Sequence, residues 1–272
     1  MAGGDREVLS ARNPRIATLR RLSGRRSART EADRFVIDGP RLVGEALAAG
    51  IVIDEVYVPT GAFAAPDIAA LVDKLDTLGV AVFVLAPDLF ASVASTGSPQ
   101  PAIAVARPPS GDLDALIAEA DALFVLVDVA DPGNAGTLVR VAEAAGFGGV
   151  IACGNAVEWW NPKVVRAAAG SLFRVPVAVA YDPSVVLAAL GARGVATVAT
   201  VVGSEQCFDA CDYRGPVAIV LGGEAHGLPA GVMRSATTTV SIPMHGAVES
   251  LNVAMAGAVC AFELARQRRL AR

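Results

Sequence analysis

Apolar segments with helical and strand-like periodicity alternate along nearly the whole chain. In residues 40–49, Leu42, Val43, Ala46 and Leu47 fall on one face of a helix. The first 106 residues continue this alternation, with predicted helices at 14–22, 40–49 and 66–78 and predicted strands at 35–38, 53–58, 80–85 and 102–106. Strands that alternate with helices of this length predict an α/β fold.

Beyond residue 120 the strand-like runs lose their polar positions. Such runs are typical of parallel strands that are covered by helices on both faces. The predicted strands lie at 123–127, 149–152, 175–179, 196–201, 217–221 and 239–242, and the principal helices at 136–145, 162–169, 184–190 and 250–268. We therefore expect an open, mainly parallel sheet, which binds ligands at the carboxyl ends of its strands.

A stretch rich in proline, residues 107–111 (Arg-Pro-Pro-Ser-Gly), separates the two halves and is typical of a linker. The sequence therefore predicts one domain at residues 1–106, a linker at 107–117 and a second domain at 118–272. Residues 1–12 lack a clear periodic pattern, and we expect them to be disordered at least in part.

The charge is distributed unevenly along a chain whose composition, 53% hydrophobic and 18% charged, is typical of a folded protein. Residues 1–41 hold ten arginines and five acids, a balance of +5, which leaves about −9 for the remainder of a chain with net charge −4. A basic segment on an acidic body favours a polyanionic partner. An arginine-rich, solvated terminus without such a partner is equally compatible with the charge pattern.

The cysteine and hydropathy patterns exclude several classes of protein. The CxxxC pair of Cys207 and Cys211 lacks the nearby histidine or second cysteine pair that a zinc site needs. We therefore expect reduced thiols and no metal. No continuous apolar stretch predicts a signal peptide or a membrane span, so the sequence favours a cytoplasmic protein.

The first of three polar loops at predicted strand ends is residues 131–136 (Asp-Pro-Gly-Asn-Ala-Gly), which Arg140 follows about a turn and a half later. Taken alone, Asn134 fits a helix cap and Arg140 fits a solvated side chain. The alternative is that both face a ligand at the carboxyl end of the sheet.

The second loop, residues 222–229 (Gly-Gly-Glu-Ala-His-Gly-Leu-Pro), follows an apolar run. Its glycines permit close approach of the backbone to a ligand, but their spacing fits neither a dinucleotide fingerprint nor a P-loop. Glu224 argues against a phosphate ligand and is compatible with a cationic or hydroxyl-rich one. His226 is a candidate general base, although a lone histidine in a turn more often has no catalytic role.

The third loop comprises residues 242–246 (Ile-Pro-Met-His-Gly) and 249–253 (Glu-Ser-Leu-Asn-Val). Ser250 or Asn252 is expected to begin the last helix, and Ser250 fits a simple cap. Because asparagine is unfavourable inside an apolar helix, a functional role is favoured for Asn252.

Together the three loops resemble the three signature motifs of the SpoU (TrmH) family of RNA 2′-O-methyltransferases, members of the SPOUT superfamily. Their order, spacing and residue identities agree, and residues 161–166 (Asn-Pro-Lys-Val-Val-Arg) match as well. Residues 35–39 (Phe-Val-Ile-Asp-Gly) are similar to the family's N-terminal substrate-binding domain, where glutamate is common at the position of Asp38. The resemblance thus covers nearly the whole chain.

The resemblance implies a C-terminal α/β domain with a trefoil knot and a smaller, L30e-like α/β domain that binds RNA. It also implies S-adenosylmethionine as the cofactor, bound largely through backbone groups of the second and third motifs. By position, the cofactor-binding residues are Thr200, Leu221, Gly222, Glu224, Gly227, Ile242, Met244 and Leu251.

The same resemblance implies a homodimer in which Arg140 approaches the partner's cofactor site. The implied catalytic residues are Asn134, Arg140, Glu224, Ser250 and Asn252, and each position holds the residue type of the family. The expected RNA-binding residues are Arg15, Arg20, Arg25, Arg26, Arg41 and Arg166.

The expected reaction is metal-free transfer of a methyl group to a ribose 2′-hydroxyl of RNA. The long N-terminal domain resembles that of the members that act on rRNA, which favours 23S rRNA over tRNA. A non-catalytic RNA-binding factor of the same fold is a further alternative, but Asn134 and Arg140, whose loss would mark it, are present. A nicotinamide-dependent enzyme would need the glycine fingerprint that the second loop lacks. Trp159 and Trp160 receive no predicted role.

Overall fold

The structure, a computed structural model, describes residues 6–119 and 121–271. Within these residues, seven helices have proline in their first turn. The fixed φ of proline suits this position, and the N–H that proline lacks has no partner in the helix. Side-chain oxygens cap several of the same helices, namely those of Asn13, Asp131, Asn161 and Asp182.

Residues 6–109 contain a mixed sheet and the helices around it. The helices are α1 (Pro14–Gly24), α2 (Arg26–Ala32), α3 (Pro40–Ala48), α4 (Pro66–Thr77) and α5 (Pro87–Val93), with a 3₁₀ turn at Ala62–Ala64. The strands are β1 (Val8–Leu9), β2 (Phe35–Asp38), β3 (Ile53–Pro59), β4 (Ala81–Leu85) and β5 (Ile103–Ala106). In the described residues their order is β1-β4-β3-β5-β2, and β5 runs antiparallel to both neighbours.

Strand β1 lies within the segment that was expected to be disordered. It pairs with β4 in parallel, and Leu9 is buried in the apolar core of this sheet. Burial of one leucine and addition to a sheet edge account for order at residues 8 and 9. Residues 1–5 of the same segment lie outside the described residues.

Residues 110–271 supply the second sheet. Their helices are α6 (Leu113–Glu119), α7 (Pro132–Ala145), α8 (Pro162–Ala167), α9 (Pro183–Ala192), α10 (Ala230–Ser235) and α11 (Val253–Leu270), with 3₁₀ turns at Ser171–Phe173 and Phe208–Ala210. Their strands are β6 (Ala122–Val127), β7 (Gly149–Cys153), β8 (Val177–Ala180), β9 (Ala196–Thr200), β10 (Val217–Gly222) and β11 (Thr238–Val240). Helix α6 occupies part of the segment that was expected to be a linker.

The second sheet is parallel throughout the part of the chain that the structure describes. Its order is β11-β9-β10-β6-β7-β8, so β10 and β6 form the centre. All six residues of β6 are buried, which accounts for an apolar run without polar positions. The predicted α/β fold and parallel sheet are confirmed, and the knotted path of the chain stays a prediction.

The chain divides into two compact units. One segment, residues 158–173, packs with the first unit although the residues before and after it belong to the second. The first unit comprises residues up to 109 together with 158–173, and the second comprises 110–157 together with 174–272. Within the first unit, Arg29 Nε donates to Glu158 Oε1 at 2.7 Å, and the ring of Phe35 lies 4.6 Å from that of Trp160. Trp159 is buried and Trp160 is half-buried, so both tryptophans serve packing.

Candidate functional site

The first motif is held at the start of α7 by its own cap. Asp131 Oδ1 accepts a hydrogen bond from the backbone N–H of Asn134 at 2.8 Å. This bond orients the first turn, because it satisfies an N–H that has no partner inside the helix. Asp131 therefore performs the capping role, and the side chain of Asn134 remains available for other partners.

A chain of hydrogen bonds connects all three motifs. Asn252 Nδ2 donates to Asn134 Oδ1 at 2.9 Å, and Asn134 Nδ2 donates to Glu224 Oε1. The directions are fixed from one end, because Asn252 Oδ1 already accepts from the N–H groups of Ala254 and Met255 at the start of α11. The amide nitrogen of Asn252 must therefore face Asn134, which leaves the amide nitrogen of Asn134 for the carboxylate.

A cavity of about 710 Å³ lies beside these hydrogen bonds, at the carboxyl ends of β9 and β10. Its wall includes every residue that the sequence predicted for the cofactor: Thr200, Leu221, Gly222, Glu224, Gly227, Ile242, Met244 and Leu251. Ser250, Asn252 and His226 also line it. The structure thus brings together segments separated by up to about fifty residues, as expected for strand ends of one parallel sheet.

Two glycines of the second motif, Gly222 and Gly223, are required by close backbone packing. A Cβ on Gly222 would lie 2.5 Å from Leu228 N and 2.7 Å from Gly227 O, where a side chain does not fit. A Cβ on Gly223 would lie 2.9 Å from the carbonyl carbon of Asp128. The loop is therefore folded tightly against β6, and its backbone forms the wall of the cavity.

Gly257 allows the third motif to pack on the other two. A Cβ at this position would lie 2.9 Å from Leu221 Cδ1, and Leu138 is still nearer. Glycine inside a helix destabilises it by about 1 kcal/mol relative to alanine, so a packing reason is expected. Here it is the approach of α11 to α7 and β10, which the sequence patterns did not indicate.

Thr200 lines the cavity, but its hydroxyl oxygen is buried. Its Oγ1 is inaccessible to solvent, and among the described residues its polar neighbour is the thiol of Cys260. Burial raises the pKa of Cys260 to about 11, although the nearby Thr200 side chain acts in the opposite direction. Thr200 therefore forms part of the cavity wall without presenting its hydroxyl at the surface.

Arg140 and Ser250 complete the predicted catalytic set. Both are exposed, and in the described part of the chain neither has an ion pair or side-chain hydrogen bond. Ser250 lines the cavity, whereas Arg140 lies on α7, the helix that also carries Asn134. A guanidinium without a carboxylate partner is free to bind an anionic group.

Asp128 is a residue of this site that the sequence motifs did not predict. It follows β6 in the left-handed region, with φ of 56°, and its Oδ1 accepts from Asn155 N at 2.7 Å. Aspartate tolerates this conformation better than most residues do. An acid directly after six buried apolar residues was the available signal.

The six arginines expected to bind RNA differ in their partners. Arg15 pairs with Glu55 and lies 4.6 Å from the centre of the Phe83 ring, and Arg166 pairs with Asp38 at 3.2 Å. Arg20 donates to Ser92 Oγ at 3.0 Å. Arg25, Arg26 and Arg41 are exposed and have no ion pair among the described residues.

Metal-binding and membrane-spanning features are both absent from residues 6–119 and 121–271. These residues contain no group of three or more His, Cys, Asp or Glu side chains that could hold a metal ion. They also contain no helix that is both long enough and apolar enough to cross a membrane.

These features define a class of protein, an α/β protein with a small-ligand cavity at the carboxyl edge of a parallel sheet. Comparison with known families identifies it further. The model of the SpoU rRNA Methylase family matches residues 121–262, and that of the MRM3-like substrate binding domain matches residues 13–104. The chain belongs to the SpoU rRNA methylase family.

Similar proteins match both units. The 23S rRNA (guanosine(2553)-2′-O)-methyltransferase RlmP of Bacillus subtilis is 30% identical over 95% of this chain and 99% of its own length. The 23S rRNA (uridine(2479)-2′-O)-methyltransferase of Streptomyces viridochromogenes is 32% identical, over 96% and 92%. The crystal structure of an AdoMet-bound rRNA methyltransferase from Sinorhizobium meliloti superposes with a TM-score of 0.85 at 29% identity, and covers 96% of this chain and 97% of that one.

Proposed function

We propose that the protein is an S-adenosylmethionine-dependent methyltransferase that modifies a ribose 2′-hydroxyl of 23S rRNA. The observation that carries the proposal is the hydrogen-bonded chain from Glu224 through Asn134 to Asn252, beside a cavity at the strand ends. Two relatives that match both units are named as 23S rRNA 2′-O-methyltransferases, which favours 23S rRNA over tRNA. This substrate implies that the protein works in the cytoplasm.

The cavity has the size and chemistry that the cofactor needs. Its volume of about 710 Å³ lies within the usual range for small-molecule sites. Leu221, Ile242 and Leu251 offer apolar surface, while the backbone of residues 222–228 offers polar groups. When bound, the cofactor supplies an electrophilic methyl group on a positively charged sulfur.

Arg140 serves the attacking oxygen in this proposal. As the 2′-hydroxyl passes its proton to solvent water, negative charge develops on oxygen, and a nearby guanidinium stabilises it. Arginine is a poor proton acceptor because it keeps its own proton at ordinary pH, so we assign it an electrostatic role. Asn134, Glu224, Ser250 and Asn252 hold the loops and the ribose in position, which is a large part of the rate gain in a displacement.

A homodimer is part of the same proposal. Met255, Val259 and Phe262 are spaced four and three residues apart, so they share one face of α11. Met255 is 62% exposed and Phe262 is 52% exposed. Large apolar side chains exposed on one helix face are typical of a surface that packs against another protein.

Calorimetry tests the cofactor assignment. Wild-type protein should bind S-adenosylmethionine and its demethylated product, and Gly222→Ala should weaken both by at least about tenfold, because the added Cβ displaces residues 227 and 228. Gly231→Ala is the matched control, since a Cβ there meets no atom within 4 Å. Failure of folded wild-type protein to bind either compound would contradict the assignment.

Mapping of 2′-O-methyl groups in total RNA tests the reaction and the substrate. Deletion of the gene should remove a ribose methyl from 23S rRNA, and wild-type protein should restore it. The Arg140→Ala variant should fail to restore this methyl group. Loss of a methyl from tRNA alone would reassign the substrate, and unchanged methylation in all RNA would contradict the activity.

A further inference from the structure

A second cavity opens on the same sheet, two strands from the first motif. It has a volume of about 520 Å³ and lies at the carboxyl ends of β7 and β8, where Gly154, Asn155, Tyr181, Asp182 and Pro183 line it. Tyr181 is 92% exposed, whereas the other two tyrosines of the chain, Tyr57 and Tyr213, are fully buried. An aromatic ring so exposed at a ligand-binding edge has no packing role of its own.

The backbone around this ring is held firmly. Gly154 N donates to the carbonyl oxygens of Ala180 at 3.2 Å and Tyr181 at 3.1 Å. Asp128 fixes the next residue, Asn155, and Asp182 caps α9 by accepting from Ser184 N at 2.8 Å. The ring therefore projects from a fixed frame, which lowers the entropic cost of binding a ligand against it.

Asp128 connects this frame to the cofactor cavity. Its carboxylate holds the Gly154–Asn155 turn, and its carbonyl group packs against Gly223 in the wall of the cofactor cavity. Neighbouring strands lie about 4.8 Å apart, so the end of β8 is roughly 10 Å from the end of β6. A ligand that extends from the first motif by about one or two nucleotides would reach Tyr181.

The charges around the ring indicate which part of RNA it could meet. The side chains that line the cavity include a carboxylate and an amide, and none of them is cationic. Carboxylates repel phosphate, but they accept hydrogen bonds from the amino groups of bases, and amides pair with base edges. Exposed aromatic rings stack on unpaired bases in RNA-binding proteins.

We propose that this cavity is a subsite for an unpaired RNA base that flanks the methylated nucleotide, with the Tyr181 ring as its stacking surface. The inference rests on the proposed function, because it takes the RNA strand to pass the cofactor cavity. Tyr181 is then a specificity-determining residue for a neighbouring nucleotide, and Asn155 and Asp182 contact the edge of its base.

Steady-state kinetics on deproteinised 23S rRNA from gene-deleted cells test the subsite. Tyr181→Ala should raise KM for the RNA about tenfold, as expected for loss of one base–aromatic stack. Tyr181→Phe should stay within about twofold, because stacking uses the ring and not the hydroxyl. Affinity for S-adenosylmethionine should be unchanged in both, and so should the slope of log RNA affinity against log salt, because stacking releases no counterions.

Val185→Ala is the matched control. Val185 is an apolar residue of α9, 64% exposed, close to Tyr181 in sequence but outside the residues that line the cavity. It should behave as the wild type does. A wild-type KM in Tyr181→Ala, or an equal loss in Val185→Ala, overturns the subsite.

A binding measurement separates this inference from the proposed function. In Tyr181→Trp, the fluorescence of the introduced indole, taken relative to wild type, should be quenched when the protein binds 23S rRNA. Unquenched fluorescence in the RNA complex overturns the subsite. Absence of methyl transfer by the wild type, with quenching still observed, overturns the proposed activity alone.

Discussion

Arg140 is the residue at which the proposed chemistry is most directly tested. Arg140→Ala should lower the single-turnover rate of methyl transfer by at least about a hundredfold, because removing one donor to a developing oxyanion costs about that much. Affinity for S-adenosylmethionine should change by no more than a few-fold, since Arg140 does not line the cofactor cavity.

Two variants control this experiment. Arg269→Ala removes an exposed arginine from the end of α11 and should retain the wild-type rate. Arg140→Lys keeps the positive charge but loses the planar fork, so an intermediate rate is expected. A rate for Arg140→Ala within about tenfold of wild type would rule out the electrostatic role of this side chain.

At the residue scale, the motifs predicted which side chains gather but not how they bond. Glu224 and Asn252 lie 90 and 118 residues from Asn134, and no local pattern specifies hydrogen bonds over such separations. Asp128 was missed because its role depends on a left-handed backbone conformation. The carboxylate partners of Arg15 and Arg166 were missed because they lie 40 and 128 residues away in sequence.

Helix α11 depends on Asn252 in two ways that substitution can separate. Asn252→Ala removes both the cap and the bond to Asn134, so it should destabilise the protein by about 1 kcal/mol and slow methyl transfer. Asn252→Asp keeps an oxygen for the cap but loses the donor to Asn134. The Asn252→Asp protein should therefore be nearly as stable as wild type, but its rate of methyl transfer should still be reduced.

Urea unfolding and single-turnover kinetics, measured on the same preparations, distinguish these outcomes. Val248→Ala is the control from the same loop, because Val248 is exposed and is not among the residues that line the cavity. If Asn252→Asp transfers methyl groups at the wild-type rate, the bond to Asn134 has no part in positioning.

At the element scale, long apolar runs predicted strands well, whereas most of the short helices were missed. Strand β2 was predicted at its observed bounds because its four residues are all buried. Helices α2, α5, α6 and α10 have six or seven residues each, too few for a helical periodicity to emerge. The last helix begins at Val253 and not at Ser250, because the cap is Asn252.

The charge of the whole molecule leads to a prediction about RNA affinity. Arg25, Arg26 and Arg41 lack carboxylate partners among the described residues, so of the six arginines expected to bind RNA they are the most available to phosphate. Their combined replacement by alanine should weaken RNA binding. It should also flatten the slope of log affinity against log salt by roughly 0.7 to 0.9 for each phosphate that is no longer neutralised.

The matched control is the double variant Arg15→Ala/Arg34→Ala, because both arginines already pair with carboxylates. It should change the salt slope less than the triple variant does. Deletion of residues 1–30 is unsuitable as a test, since it removes Ile16, Leu19 and Leu22 from the core. Equal slopes for the triple variant and wild type would show that other residues hold the RNA.

The proposed dimer is also a property of the whole molecule. Sedimentation at micromolar concentration should give about twice the chain mass of 27.7 kDa. Met255→Glu/Phe262→Glu should shift the protein toward monomer, because a charge buried in an apolar interface is costly. Val185→Glu, on the exposed face of α9, should remain dimeric. A wild type that sediments as a monomer would refute the dimer.

At this scale the sequence indicated two sheets and a boundary near residue 109. It did not indicate that residues 158–173 pack with the first unit. The apolar pattern of α8 resembles that of helices in either half, and periodicity reports only that a face is buried. The partner of that face is β2, which lies more than a hundred residues earlier.

Because residues 158–173 pack with the first unit, the gene is difficult to divide into two parts that fold separately. Three peptide bonds join the two units, after residues 109, 157 and 173, so neither unit is a continuous stretch of sequence. A fragment that ends at residue 109 lacks the aromatic rings that cover Phe35 and the carboxylate that neutralises buried Arg29. The complementary fragment carries those groups without their partners. Split expression or domain swapping at the Pro108-Pro109 stretch should therefore yield two poorly soluble halves, and fusion or circular permutation of this protein is better attempted elsewhere.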